Sequence, residues 1–134
     1  MYKVISMMKR NPNVSAQEFK EFYERKHAPA AAKVLVKYCS DYRRNYPSKQ
    51  FLSIDGTMRE LQDPQGPHSF PYDIVNEFWF KDKESMDIVF KGFAARDRKA
   101  EAEVEDERYL DLNSIRVLIV EEAVSTFKDE IDAL

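Results

Sequence analysis

The stretch at residues 15–29, SAQEFKEFYERKHAP, constrains the fold most, because it has the signature of a helix with a defined start. Ser15 is a preferred N-cap residue, and Glu18 three positions later completes a capping box. Val14 and Phe19 have the spacing of a hydrophobic staple. We therefore predict an α-helix that begins directly after Ser15.

One face of this predicted helix is apolar and carries a histidine. The inward set is Phe19, Phe22, Tyr23, His27 and Ala30, and the outward set is Glu21, Glu24, Arg25 and Lys26. His27 should therefore face the body of the protein. Pro29 lacks an N–H and disfavours helical geometry in the residue before it, which predicts a bend or break just after His27 and free backbone groups there. Helical structure should then continue to Val36.

Composition limits the class of protein. The 134 residues are 43% hydrophobic, which suits one domain with a buried core. The net charge of −3 comes from mixed acidic and basic residues, so we expect no nucleic-acid or anionic-membrane partner. The single cysteine, Cys39, excludes an intrachain disulfide, and no apolar run approaches the roughly 20 residues of a transmembrane helix. With no signal-peptide pattern, a reducing cytoplasm is the expected location.

Four segments have the composition or alternation of β-strands, namely residues 2–9, 37–46, 73–81 and 115–120. The last two are apolar on both sides, which predicts that both of their faces are covered. Residues 110–113 are expected to turn into the last strand.

A second helix is predicted from Asp82, with apolar residues at helical spacing at Met86, Phe90, Phe93, Ala100 and Val104. Residues 47–71 contain four prolines and two of the three glycines, which predicts a long loop with a short strand or turn near residues 51–54. The chain thus divides into a domain at 1–123 and a tail at 124–134. In the tail, Phe127, Ile131 and Leu134 predict a short amphipathic helix lying on the body or on a partner.

The order strand, helix, strand, loop, strand, helix, strand predicts an α+β fold. With short, right-handed connections it gives the ferredoxin-like split βαβ plait, a four-stranded antiparallel sheet with both helices on one face. The other face would then be bare and apolar. We expect it to be covered by the same face of a second subunit, which gives a homodimer with a dimeric α+β barrel.

Three segments together resemble the EthD domain of the dimeric α+β barrel superfamily. They are VISMMKRNPNVSAQEFKEFYERKHAP, YDIVNEFWFKDKESM and ERYLDLNSIRVLIVEE. The helix ending in His-Ala-Pro, the Glu-x-Trp-Phe strand and the Tyr-Leu-Asp turn occur in this order within residues 2–123. The resemblance implies a cofactor-independent pocket between helices and sheet, with His27 as the histidine of the family. It also implies phenolic, polyketide-like or lactone substrates and dehydratase, cyclase, isomerase or oxygenase activity.

The residues themselves favour acid–base chemistry without a cofactor. His27 and His68 are far apart and show no metal-ligand spacing, and the glycines do not form a phosphate-binding loop. His27 is our candidate general acid/base, because an imidazole can accept and return a proton near neutral pH. The alternative is a core histidine that a carboxylate or carbonyl satisfies. Tyr23, one turn earlier, either orients His27 and lines the pocket or belongs to the core.

The second and third strands supply candidate substrate-binding residues. In the second strand they are Tyr38, Tyr42, Tyr46, Asp41 and Arg44, with Tyr38, Tyr42, Arg44 and Tyr46 on one side and Cys39 and Asp41 on the other. Which side faces the pocket is left open. In the third strand, Glu77 shares a side with Trp79. Glu77 is either a catalytic proton shuttle or part of an interface salt bridge with Arg43, Arg44 or Arg116, and Trp79 either stacks on substrate or packs in the core.

Other candidates come from the loop and the second helix. His68 and Tyr72 form either a lid or ordinary loop surface, and Phe93 is core or apolar pocket wall. The charged run at residues 96–108 is interpreted as a solvated helix face.

The sequence therefore predicts a cofactor-free dehydratase, cyclase or isomerase in which His27 moves a proton. The alternatives are a cofactor-free or haem-dependent monooxygenase of the same superfamily and a non-catalytic small-molecule binding protein.

Overall fold

The computed structural model describes residues 1–94 and 101–134, excluding the side chains of residues 93–104 and of Asp129. The strands are β1 (Tyr2–Arg10), β2 (Cys39–Asn45), β3 (Phe51–Ile54), β4 (Thr57–Glu60), β5 (Ile74–Phe80) and β6 (Leu110–Val120). The helices are α1 (Ala16–Phe22), α2 (Ala28–Leu35), α3 (Lys83–Ala94), α4 (Glu101–Tyr109) and α5 (Phe127–Asp132). A π-helical turn, Tyr23–His27, joins α1 to α2.

The main sheet has four antiparallel strands in the order β2-β5-β1-β6. This order is that of the predicted ferredoxin-like plait, and the α+β prediction is confirmed. Two core clusters join the sheet to the helices, one around Phe19, Phe22 and Met8 and the other around Leu35, Met86 and Val4. We call this side of the sheet the helix face and the other side, which carries Lys3, Ile5 and Glu77, the open face.

The start of the first helix is as predicted. The Ser15 hydroxyl accepts a hydrogen bond from the Glu18 backbone N–H at 3.1 Å, and the Glu18 carboxylate accepts one from the Ser15 N–H at 3.1 Å. The bond that the Glu18 carboxylate accepts from the Ser15 N–H lowers the pKa of Glu18.

The predicted break after His27 is wrong, because α2 continues the helix directly. The irregularity lies one turn earlier, where the Ala28 N–H donates to the Tyr23 carbonyl five residues back. A proline ring clashes with the carbonyl four residues before it, which for Pro29 is that of Arg25 within the π turn. The wider turn accommodates the ring without breaking the helix.

The alternation predicted for the second strand holds from Asp41 onward and fails before it. A β-bulge at Ser40 shifts the register between Cys39 and Asp41, so Cys39 lies on the same face as Tyr42. The predicted grouping of Cys39 with Asp41 is therefore wrong. Cys39 is buried, and desolvation raises the pKa of its thiol to about 11.

The loop predicted at residues 47–71 contains a β-hairpin. The strand expected near residues 51–54 is present as β3, and β4 pairs with it in a separate two-stranded sheet. Asp55 and Gly56 form the connection with φ values of 50° and 77°. A two-residue Asp-Gly connection with positive φ at both positions is a strong hairpin signal, which the loop prediction overlooked.

The last strand is longer than predicted. Residues 110–113 belong to β6 rather than to a turn, and the sheet absorbs them through a register shift opposite Met8. Asp82 caps α3 as expected, accepting a bond from the Ser85 N–H at 2.7 Å, but Ala100 and the side chains of Phe93 and Val104 lie outside the described residues. In the described ranges, no helix is both long and apolar enough to cross a membrane.

Candidate functional site

The candidate site lies at the π turn, where His27 meets a buried carboxylate. The Nδ1 atom of His27 is 3.3 Å from Oδ2 of Asp106 in α4. The His27 side chain keeps 20% of its surface exposed, whereas Asp106 keeps 11%. The prediction that the run at residues 96–108 is a solvated face is therefore wrong for Asp106. A histidine held by a buried carboxylate has a fixed orientation while its ring remains accessible.

Tyr23 supports the His27 ring from below. The ring centroids of Tyr23 and His27 are 4.5 Å apart, and the Tyr23 side chain is buried. Its hydroxyl accepts a hydrogen bond from the Asn76 amide at 3.1 Å. Burial raises the pKa of Tyr23 well above its ordinary value. Tyr23 is thus a neutral hydrogen-bonding group under the imidazole.

A charged cluster borders the site on the β2 side. Arg44 donates two hydrogen bonds to the Glu24 carboxylate, at 2.6 and 3.0 Å, and the Tyr46 hydroxyl donates a third at 2.5 Å. The Arg44 bonds hold the pKa of Glu24 below its ordinary value, whereas burial and the carboxylate raise that of Tyr46. The Arg44 guanidinium also lies over the Tyr42 ring, 4.8 Å from its centroid. Three predicted site residues, Tyr42, Arg44 and Tyr46, are thus together.

The sequence reasoning missed three polar residues of this region. Glu24 was predicted to face outward, but Arg44 and Tyr46 reach it from the edge of the sheet. Asp106 is 79 residues from His27, and no local pattern links them.

Asn76 is the third missed residue, and a buried amide inside an apolar strand was a visible signal for it. Its Nδ2 donates to the hydroxyls of Ser6 and Tyr23, at 3.2 and 3.1 Å. Its Oδ1 is the one buried side-chain atom without a hydrogen-bond partner in the part of the chain that is described. A buried polar side chain therefore lies next to Tyr23, the residue whose ring contacts His27.

Glu77, Trp79 and Asp41 lie on the open face, across the sheet from His27. Glu77 contacts Lys3 Nζ at 3.0 Å and accepts a bond from Asn45 at 3.0 Å, and both partners lower its pKa. Trp79 lies under Lys3 Nζ, 4.4 Å from the ring centroid. The structure thus does not bring Glu77 or Trp79 together with His27. Glu77 forms a salt bridge, as the alternative interpretation expected, but its partner is Lys3 of the same chain and not Arg43, Arg44 or Arg116.

The remaining predicted site residues are dispersed. Tyr38 packs partly buried near Leu35 and Cys39. Tyr72 lies below Lys9 Nζ, 5.9 Å from the ring centroid, and contacts Phe70. His68 is exposed and lines a cavity of about 530 Å³ between the hairpin and the end of the loop. The side chain of Phe93 lies outside the described residues.

Neither of two surface cavities includes His27. The one lined by His68 borders the hairpin, and the other, of about 560 Å³, lies between Pro12 and the start of β6. Among the described residues, no three histidine, cysteine or acidic side chains are grouped as metal ligands would be. The acid–base groups of the site are therefore those around the π turn.

The family model of the EthD domain matches residues 11–113, a range that includes the π turn, the β2 cluster and Asp106. The chain belongs to the EthD family. A crystal structure of an EthD family protein from Bacillus halodurans has a TM-score of 0.52 at 16% identity, covering 92% of this chain and all of that one. The protein At3g17210 from Arabidopsis thaliana has a TM-score of 0.50 at 16% identity, covering 94% of this chain and 99% of that one. These two likenesses support the fold. No curated protein matches the chain.

Proposed function

We propose that this EthD protein is a cofactor-independent enzyme that moves a proton on a phenolic, polyketide-like or lactone molecule, as a dehydratase, cyclase or isomerase does. The observation that carries the proposal is the pair of His27 and Asp106, 3.3 Å apart, with the imidazole partly accessible and the carboxylate largely buried. A π-helical turn often marks a functional site, and His27 ends such a turn.

In the proposed mechanism, Asp106 accepts a hydrogen bond from the Nδ1–H of His27. This bond fixes the tautomer in which Nε2 is unprotonated and can take a proton from the carbon next to a substrate carbonyl. The resulting enolate or phenolate oxygen would be stabilised by donors nearby, for which Arg44, Tyr42 and Tyr46 are the candidates. In an isomerisation His27 then returns the proton to a different carbon of the enolate, and in a dehydration it gives the proton to the departing hydroxyl, which leaves as water. Glu77 takes no part, since it lies on the other face of the sheet.

The proposal includes a homodimer formed by the open faces. The centre of this face is apolar and consists of Ile5, Met7, Val75 and Leu118. The ion pair of Lys3 and Glu77 lies beside these residues. Such a self-complementary face suits a two-fold interface.

The experiment measures proton transfer directly. β-Keto esters, hydroxyaryl ketones and lactones are incubated with the protein in deuterium oxide, and proton NMR follows exchange of the carbon-bound proton. We expect wild-type protein to accelerate exchange on at least one class. His27→Gln should reduce that rate about 10²–10⁴-fold, because general acid–base catalysis contributes that much. Asp106→Asn should also reduce it, because the imidazole loses its fixed tautomer.

The matched control is Lys26→Gln, which removes the neighbouring exposed ion pair with Glu105 and should leave the rate unchanged. Equal rates in wild type and His27→Gln would disprove the role of His27. Product formation that stops without oxygen would indicate a monooxygenase instead, and a ligand recovered unchanged would indicate a binding protein.

A further inference from the structure

Two apolar surfaces in the described part of the chain are exposed. The first, which we call the β6 row, consists of Ile115, Val117 and Ile119 on the helix face of the edge strand, exposed by 37%, 48% and 60%. The second, the tail stripe, consists of Phe127, Ile131 and Leu134, exposed by 71%, 65% and 105%. Exposed apolar surfaces of this kind mark interaction sites.

Each of the two surfaces is a narrow row of three exposed apolar side chains. The β6 row spans about 13 Å at roughly 3.3 Å per residue, and the helical part of the tail stripe, from Phe127 to Ile131, spans about 6 Å at roughly 1.5 Å per residue. Phe127 and Ile131, four positions apart, lie on one side of α5, and Leu134 follows two residues after the end of this helix. A helix laid along a row of alternate strand residues buries both surfaces at once.

The tail of each subunit starts on the open face of the sheet, whereas the β6 row of the same subunit lies on the helix face. The Glu122 carboxylate contacts Lys3 Nζ at 2.5 Å and accepts a hydrogen bond from the Trp79 indole at 3.0 Å, both on the open face. The bond from Lys3 lowers the pKa of Glu122 most, and the bond from Trp79 lowers it further. Only four residues separate Glu122 from the start of α5. The tail therefore leaves the subunit on the side where the proposed dimer places the second copy.

We infer that residues 124–134 form an arm that docks its tail stripe on the β6 row of a second copy of this chain, in a reciprocal exchange. The inference rests on the dimer included in the proposed function. In a two-fold assembly the tail of each copy packs on the β6 row of the other copy, so each of the two apolar surfaces covers the other.

The test uses single-cysteine chains in a Cys39→Ala background. A chain with Val117→Cys and a chain of different mass with Phe127→Cys are mixed, allowed to exchange subunits, and oxidised. We expect a disulfide-linked heterodimer on a non-reducing denaturing gel. The control is Asp132→Cys, which lies roughly 140° around the helix from position 127 and should cross-link to Val117→Cys at least about 10-fold less.

The possible outcomes separate the inference from the proposal on which it rests. A light-scattering mass of one dimer without the 117–127 cross-link would overturn the arm exchange and leave the dimer and the His27 chemistry standing. A disulfide within one chain of the double variant Val117→Cys and Phe127→Cys, at a yield that does not change on dilution with wild type, would place the tail on its own subunit. A monomeric mass would overturn both the dimer and the exchange, whereas the proton-transfer assay tests His27 separately.

Discussion

Glu24 shows how much of the site depends on one side chain. Its carboxylate accepts bonds from both Arg44 and Tyr46, and it lies next to Tyr23, which supports the His27 ring. The Arg44 bonds hold the pKa of Glu24 below its ordinary value of 4.5 in the folded protein. The stability that the charged carboxylate contributes is therefore present above 4.5 and is lost as the pH falls through the lowered folded-state value.

Glu24→Gln should lower the free energy of unfolding at pH 7 by about 1 kcal/mol, because a half-exposed bidentate pair is partly screened by solvent. At pH 3 the difference from wild type should shrink, because the carboxylate of the unfolded wild-type chain is protonated below 4.5 and the stability that it contributes is being lost. Urea unfolding at both pH values measures this. Glu21→Gln, on the exposed side of the same helix, is the control and should show little change at either pH. An equal loss at both pH values would contradict the assignment.

At the residue scale, local patterns identified the residues of the site better than their partners. His27 and Tyr23 follow from helical spacing, and Tyr42, Arg44 and Tyr46 follow from alternation in one strand. Asp106 comes from a distant helix, and Glu24 is reached by two long side chains from the sheet edge, so no short pattern contains either contact. Glu77 was placed correctly beside Trp79, but alternation alone cannot say which side of a strand faces the helices.

At the scale of elements, the helix start is the best-determined feature. The capping box of Ser15 and Glu18 was predicted and is present with both bonds. Ser15→Ala should lower the free energy of unfolding by about 1 kcal/mol, because an N-cap side chain satisfies an otherwise unpaired backbone N–H. Ser15→Asp should retain most of the stability. Urea unfolding midpoints of the two variants make the comparison, and an equal loss in both would show that the hydroxyl has no capping role.

Three elements departed from prediction for identifiable reasons. The prolines and glycines around β3 and β4 led to the prediction of a loop. The Asp-Gly pair at positions 55 and 56, with positive φ at both residues, is the sequence feature that indicates the hairpin. Residues 110–113 looked like a turn because the register shift opposite Met8 interrupts the alternation of β6. The bulge at Ser40 puts Cys39 on the face opposite to the one that strict alternation predicted. Bulges add residues that a strict period of two does not anticipate.

At the scale of the whole molecule, the order of helices and strands was enough to predict the ferredoxin-like plait. It was not enough to predict how two copies would assemble. The open face combines apolar residues with the ion pairs around Lys3, so it is less apolar than β5 and β6 suggested. Leu118 lies on this face opposite Ile5 and is 49% exposed.

Leu118→Glu should convert the proposed dimer into a folded monomer, because it buries an unpaired charge in the interface. Light scattering coupled to size exclusion measures the mass, and circular dichroism checks the fold. Val34→Glu, a similarly exposed position on α2, is the control and should leave the mass unchanged. A Leu118→Glu dimer as stable as wild type would exclude the open face as the interface.

The π turn has a consequence for how this helix tolerates change in length. The turn holds one more residue than an α-helical turn, so a chain shortened by one position between Glu24 and Lys26 could still wind from Ala16 to Leu35 without interruption. The offset between Tyr23 and His27 would fall from four positions to three, and residues three apart in an α-helix still lie on one face, so the two rings would stay neighbours. The helix therefore tolerates the loss of one residue at this turn while keeping Tyr23 and His27 on one face, so chains of either length would share both the architecture and this pair.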